Sequence, residues 1–586
     1  MPETDKEKRV SKRSEGCQFS PWASGTARTA ARVTPGAGAP GDFRRTGAVR
    51  HHARDAFEAV PAMHVYFAAR VRPVTAAYSS EARHMKLLGS MLMSRWMPAV
   101  LVLAFVALLA VISIALPANN DEGVWLYIGK MWVQEGLLPY VDALENKTPG
   151  IYYIYAVASL FPGVGYFAGR VIALAVSAAS ALLVVRGLSR YHSRSAGVLG
   201  ATCFSLAFCW QYMQGVLVNV TETYLVFFVF VSWYCLLRAW ERYRQTGSVV
   251  PWLICAGMAM AAAVNFKQVA LTSWAAMGAA LVLYGAARRD WLALFFALFA
   301  YGAGTFLGFA GFTLPLLLSG VSLEAYWEGA WLILVQPGTA TDAALTHRLY
   351  LALVKWTLPE MRLFLPFILY LLYVSVRDRE TRLLAAMFLI WLAFDFVGVN
   401  GSGRYFGHHF KQILPSLCIL AGYASGEFIR RQFPDEAGRR HGLAVLFVLI
   451  VALFFPANAL LNGTGHLAFG ETDPALETGL WVREHSSEGD YVQLAGGPIA
   501  QVLPYAGRRA PGRYFHHSLF PLPDARDGFL RDVEARPPRY VLFQDESDLE
   551  AYPWLQAWVR EHYRPAHENA GIRVYERSAG AATPGS

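Results

Sequence analysis

From Trp96 onward the chain alternates long apolar blocks with short polar connections. The first block, Trp96 to Leu116, has 21 residues. As a helix it would be about 31 Å long, which matches a hydrocarbon core of about 30 Å. Pro117 and the polar run Asn119-Asn120-Asp121-Glu122 end it. Further blocks at 164–186, 197–213, 223–238, 250–264, 268–286, 291–318, 363–376, 383–399, 410–428 and 442–461 bring the predicted spans to eleven. The pattern changes after residue 461. "YVQLAG" (Tyr491–Gly496) and "RYVLFQD" (Arg539–Asp545) predict buried strands, "IRVYER" an alternating one, and "LEAYPWLQAWVREHY" has helical spacing. The expected fold class is an all-α polytopic membrane protein of about 11 transmembrane helices with a small C-terminal α/β extracytoplasmic domain.

Composition supports this reading. Of the 586 residues, 55% are apolar and only 16% charged, against roughly 25% charged in globular chains. The aromatic share of 14% suits side chains at membrane–water boundaries. The net charge of +9 is spread over short clusters between apolar blocks, so it argues for cytoplasmic loops and not for nucleic-acid binding. If the first span runs outward, the inner connections hold fifteen basic residues and the longer outer ones eight. The positive-inside rule then places the N-terminus in the cytoplasm and, with an odd number of spans, the C-terminal domain outside. The expected location is therefore the plasma (inner) membrane. Of the six cysteines, all but Cys17 lie in apolar blocks, and no CxxC pair suggests a disulfide framework or zinc ribbon.

Three regions follow: an extension over 1–84, a membrane module over 85–461 and a soluble domain over 462–586. The extension is rich in Arg, Ala, Gly, Ser and Pro without periodicity, which predicts a segment that is disordered or not translated at all, since Met85 opens a more conventional membrane-protein start.

The chemistry concentrates in the first outer loop, "NNDEGVWLYIGKMWVQEGLLPYVDALENKTPGIYYIYAVASLF". Asp121 and Glu122 emerge directly from a membrane helix, where charge is costly and usually functional. Lys147 precedes an aromatic segment, Gly150 to Phe161, too short to span and expected to lie along the outer interface. "VNVTETYLVFF" puts Glu222 at the outer end of a span, and "NFKQVAL" puts Lys267 and Gln268 in an outer turn. "GRYFGHHFKQILPSLCILAG" adds Arg404, His408, Gln412 and Pro415.

An acidic pair after the first span, then a Lys-x-Pro element opening an aromatic helix, resembles the C-type glycosyltransferases. The narrower resemblance is to the dolichyl-phosphate-mannose–protein mannosyltransferase family and its bacterial relatives, including the aminoarabinose and lipid A galacturonic acid transferases. It covers roughly residues 95–430. The chain departs from the pattern in having Lys-Thr-Pro-Gly for Lys-Pro-Pro and Glu222 for a commoner Asp. The resemblance implies transfer of a sugar from a polyprenyl-phosphate donor, outside the membrane, to a lipid, polysaccharide or protein acceptor. An acceptor hydroxyl needs a carboxylate base, which makes Asp121 the expected base with Glu122 or Glu222 orienting it. A phosphate leaving group needs cations, for which Lys147, Lys267, Arg404 and His408 are the candidates. The resemblance also implies that the polyprenyl tail lies between lipid-facing helices, among the membrane lipids, so that the spans are part of the binding site.

Each residue also has a structural reading. Lys147 could snorkel, Glu222 could cap its helix with Thr221, Lys267 could be structural, and Arg404, His408 and His409 could form a solvated turn. No cofactor is required by the sequence. A divalent metal held by Asp121, Glu122, Glu222 and a histidine is compatible with it, though no spacing demands one. The loop at about 319–360 is long enough to form a lid. The competing functions are a lipid-linked sugar flippase, which predicts inverted repeats that the sequence lacks, and an O-antigen ligase or polymerase, which leaves the Asp-Glu pair unexplained.

Overall fold

In a computed structural model, residues 81–578 are described except 115, 162–164, 211–218, 246, 337–346, 348–349, 351–361, 402, 404 and 471–472. The extension over 1–80 and most of the expected lid, including Arg348 and Lys355, lie outside the described residues. Each apolar block becomes a helix because, with no water to take backbone hydrogen bonds in a bilayer, a helix satisfies them within one segment. The order is α1 (Glu81–Leu92), α2 (Met97–Ser113), α3 (Asn120–Glu135), α4 (Gly150–Ala158), α5 (Gly165–Tyr191), α6 (Arg194–Phe208), α7 (Thr221–Arg244), α8 (Val250–Phe266) and α9 (Ala270–Arg288). It continues with α10 (Trp291–Leu318), α11 (Leu323–Ala330), α12 (Leu365–Arg377), α13 (Arg379–Asn400), α14 (Leu414–Gln432), α15 (Glu436–Phe454) and α16 (Ala457–Phe469).

The protein is thus an integral, multi-pass, mostly helical membrane protein. All eleven predicted blocks coincide with helices, but six are long and apolar enough to cross a membrane, namely α5, α7, α9, α10, α13 and α15. A seventh span arises if α1 and α2, which meet at 90°, are one broken unit. The remainder are short, like α8 and α12, or buried inside the bundle. Of the 15 residues of α6, all but the first are buried, and α14 crosses it where small residues let backbones touch. A Cβ on Gly422 would come within 2.8 Å of the Gly200 Cα, so bulk at either position would force the helices apart.

The first outer loop is more structured than its sequence suggests. Residues expected as loop form α3, opened by a capping box. Asn119 accepts from the Glu122 backbone N–H at 3.0 Å, and the Glu122 carboxylate accepts from the Asn119 N–H at 3.2 Å. The segment from Gly150 forms α4, which buries Ile151, Tyr152 and Tyr155 in the protein and leaves Val157, Leu160 and Phe161 exposed. Its interfacial character is therefore confined to one edge.

The C-terminal region opens with α17 (Pro474–Glu484) and builds one sheet from β1 (Val492–Leu494), β2 (Tyr540–Phe543), β3 (Tyr563–Asn569) and β4 (Ile572–Arg577), in the order β1-β2-β4-β3. β1 and β2 pair in parallel and the other neighbours antiparallel, with a bulge in β3 between Pro565 and His567. This region packs on α3. The Ala500 N–H donates to Asn120 Oδ1 at 3.0 Å and the Ala510 N–H to Tyr127 Oη at 2.9 Å. Arg509 pairs with Glu135, and a Cβ on Gly123 would fall 2.2 Å from the Gln501 nitrogen. The C-terminal region and the first loop are therefore one packed unit.

The charge bias makes sidedness testable. A reporter active only outside the cytoplasm should be active when fused after Gly470 and silent when fused near Arg242. Silence after Gly470 would mean that the number of spans is even.

Candidate active site

The helix ends nearest the C-terminal region gather an unusual set of charges. Asp121 lies in the first turn of α3, placed there by the capping box on either side of it. Its carboxylate is only partly buried and has no hydrogen-bond or ion-pair partner among the described residues. Burial pushes its pKa above the ordinary value of 3.8, Lys147 pulls it down, and Glu145 and Glu222 push it up again. An open carboxylate that retains basicity beside cations is suited to accept a proton.

Lys147 enters on the extended segment before α4. Tyr140 and Tyr152 donate their hydroxyls to its carbonyl at 2.7 and 3.2 Å, which fixes the backbone. Its ammonium donates to Asn146 Oδ1 and, at 3.1 Å, to Glu145 Oε1. Burial disfavours the charge, but Glu145 and Asp121 outweigh it and hold the lysine pKa above its usual value. Burial likewise raises Glu145, yet Lys147 and His516 bring it down to about 2. His516 comes from the C-terminal region and stands 3.2 Å from Glu145 Oε2. The soluble region therefore reaches the residue that holds Lys147.

Glu222 is the second carboxylate, buried in the first turn of α7. Thr221 Oγ1 donates to its Oε2 at 2.9 Å, the Lys267 ammonium donates to Oε1, and His408 Nε2 stands 3.8 Å from Oε1. Lys267 follows α8, where burial lowers its pKa. Its neighbour Gln268 donates to the Asn146 and Ala330 carbonyls at 2.9 and 2.7 Å, tying this turn to the first loop and to α11. His408 sits in a 3-10 turn, Gly407–Ile413, anchored by Gln412 donating to the Val269 carbonyl and Thr272 Oγ1. Burial pushes the His408 pKa down to about 4, so the ring is neutral at physiological pH.

The structure thus brings Asp121, Lys147, Glu222, Lys267 and His408 into one electrostatic cluster. Glu122 is held apart from it. Its Oε1 accepts from Arg170 Nε at 2.9 Å and its Oε2 from Arg170 NH2 at 2.6 Å, with Asn119 on the same oxygen. Arg170 also donates to the carbonyls of Ser113, Leu116 and Pro117 at 3.0, 2.6 and 2.9 Å. It therefore clamps the orphan carbonyls ending α2 to the start of α3. Both oxygens of Glu122 are committed to that clamp, so it positions Asp121 and does not face the cluster. Arg404 lies outside the described residues.

Sequence reasoning overlooked Glu145, Arg170 and His516. Arg170 had a signal, an arginine five residues into an apolar helix, since such a charge must find a partner. Glu145 sits two residues from Lys147. Nothing in the local sequence marks His516.

Residues 146–315 match the family model described as dolichyl-phosphate-mannose-protein mannosyltransferase. Among solved structures, apo ArnT from Cupriavidus metallidurans aligns with a TM-score of 0.56 at 17% identity, over 82% of this chain and 99% of that one. The same protein bound to undecaprenyl phosphate gives 0.55 at 16% identity, over 84% and 100%. The Archaeoglobus fulgidus oligosaccharyltransferase, tethered with an acceptor peptide, gives 0.50 at 13% identity, over 83% and 74%. No curated protein matches the chain. At these identities the solved structures establish the fold, and the family model carries the sequence likeness. Over residues 146–315 the chain is thus similar to the dolichyl-phosphate-mannose–protein mannosyltransferase family, and as a whole it has an ArnT-like fold.

Proposed function

We propose that the enzyme transfers a sugar from a polyprenyl-phosphate donor to an extracytoplasmic acceptor, with Asp121 as the general base. The observation that carries this reading is the Asp121 carboxylate, which has no hydrogen-bond or ion-pair partner among the described residues and is close enough to Lys147 and Lys267 to feel both charges. The acceptor hydroxyl loses its proton to Asp121 as its oxygen attacks the anomeric carbon from the face opposite the lipid phosphate. The bond from that carbon to the phosphate oxygen breaks, the electron pair leaves with the polyprenyl phosphate, and the anomeric configuration inverts. Lys147 and Lys267 stabilise the charge that grows on the phosphate, and Arg404 is a further cation for it. Glu222 holds Lys267 in place. The undecaprenyl phosphate bound to the similar ArnT supports this donor class. The charge bias supports an inner-membrane location with the site and C-terminal region outside.

The test uses a donor labelled in its sugar, incubated with inverted and right-side-out membranes. Transfer predicts label leaving the polyprenyl phosphate for an acceptor, from right-side-out membranes only. A flippase would move the intact donor between leaflets without cleaving it, and that result would overturn the proposal.

Acidity provides a second check. A base must be ionised, so turnover is lost as pH falls through the Asp121 pKa, and the acid limb should lie above 3.8 because burial raises that pKa. Lys147 lowers it, so Lys147→Met should move the limb to higher pH and also weaken donor binding. A limb unmoved in that variant would remove Lys147 from the site.

A further inference from the structure

We infer that His516, in the C-terminal region, is a positioning residue for the donor, taking over Glu145 when the lipid phosphate draws the Lys147 ammonium away. The Glu145 carboxylate faces two partners. Its Oε1 accepts from Lys147 at 3.1 Å, and His516 Nε2 stands 3.2 Å from its Oε2. The second contact has the range of an ion pair but lies off the line of a hydrogen bond. Neither nitrogen of the His516 ring makes a hydrogen bond among the described residues. The histidine is 2% exposed and Glu145 7%. Buried polar groups are almost always hydrogen-bonded, so a buried imidazole held beside a carboxylate without such a bond calls for a reason.

The segment that carries His516 is firmly held. The Leu144 N–H donates to the Arg513 carbonyl at 3.1 Å, which straps the segment to the residue before Glu145. Gln493 of β1, itself buried, donates to the Tyr514 carbonyl at 3.1 Å. Phe515 is buried, and its ring centre lies 4.8 Å from that of Tyr127 on α3. With the preceding residues fixed and the two atoms already within reach, a side-chain rotation suffices to align Nε2 on Oε2.

In the glycosyl-transfer reading, on which this inference rests, Lys147 stabilises the lipid phosphate. Lys147 and His516 are the partners of the Glu145 carboxylate among the described residues. Moving the ammonium onto the phosphate would therefore leave a buried carboxylate with no other counter-group, and an unpaired buried charge is strongly disfavoured. His516 removes that penalty. In the tautomer with its proton on Nε2 it needs no change of charge to donate to Oε2 as Lys147 lets go of Oε1. The C-terminal region thus sets how readily the lysine is released, which gives it a part in donor binding.

The experiment measures binding of undecaprenyl phosphate, which carries no sugar, to the full-length protein in nanodiscs. It compares His516 variants in the unaltered protein and in Glu145→Gln. His516→Phe and His516→Asn should each weaken binding about 10- to 100-fold, the usual worth of a hydrogen bond to a charged group. His516→Gln should keep most of the affinity, because Gln places an amide N–H near the position of Nε2 and Asn only near that of Nδ1. In Glu145→Gln no carboxylate is left to strand, so the same His516 variants should have little effect. A loss of equal size in both backgrounds would overturn the inference, since His516 would then only support the fold. Unchanged binding in His516→Phe and His516→Asn would overturn it as well. An unaltered protein that binds no undecaprenyl phosphate would overturn both the inference and the donor reading. The expected dependence on His516 in a protein that transfers no sugar would uphold the inference and overturn the transfer step alone.

Discussion

Arg170→Ala is expected to destabilise the protein by about 3–5 kcal/mol, the usual cost of removing one partner from a buried ion pair. Arg170 is 3% exposed and Glu122 1%, so neither has water to fall back on. The variant would strand the Glu122 carboxylate and also free the carbonyls of Ser113, Leu116 and Pro117. Glu122→Gln should cost less, since an amide oxygen still accepts from the guanidinium. The double variant Glu122→Met/Arg170→Met should recover much of the loss, because it buries apolar groups where the pair was. Thermal unfolding in detergent measures all three. A double variant no more stable than Arg170→Ala would mean that the carbonyl contacts, and not the ion pair, hold the α2–α3 junction.

Asp121→Asn should lower turnover about 100- to 10,000-fold, the range typical of losing a positioned base. The amide keeps the shape and has no partner to lose among the described residues, so folding and donor binding should persist. Glu222→Gln acts differently, because it removes the charge that anchors Lys267. Its defect should therefore appear in donor binding as well as in turnover. The two carboxylates feel each other's charge, so their roles need a double-variant cycle. Near-normal turnover in Asp121→Asn with an inactive Glu222→Gln would move the base to Glu222.

The helices were legible because long apolar blocks leave the backbone little choice. Which helices span was less so, since the apolar blocks that form α6 and much of α14 lie buried inside the protein. α3 was missed although Asn119 and Glu122 carry the spacing of a capping box, because Asp121-Glu122 drew attention as a catalytic pair. Only the position of Arg170 separates their roles, and it lies far along the chain. Three of the four strands were visible. β3, "YRPAHEN", was not, because an edge strand with most of its side chains exposed needs no apolar pattern and tolerates Pro565 at a bulge. The charges at the site were legible as residue types at helix ends. Their mutual arrangement, and the arrival of His516 from the C-terminal region, depend on tertiary packing.

The central claim is that the protein consumes one polyprenyl-phosphate sugar, and the lipids of a strain lacking the gene test it most directly. Mass spectrometry of the lipid extract should show a single polyprenyl-phosphate sugar accumulating. The intact gene should restore the parental profile and the Asp121→Asn gene should not. An unchanged lipid profile in the deletion strain, or full restoration by Asp121→Asn, would contradict the account.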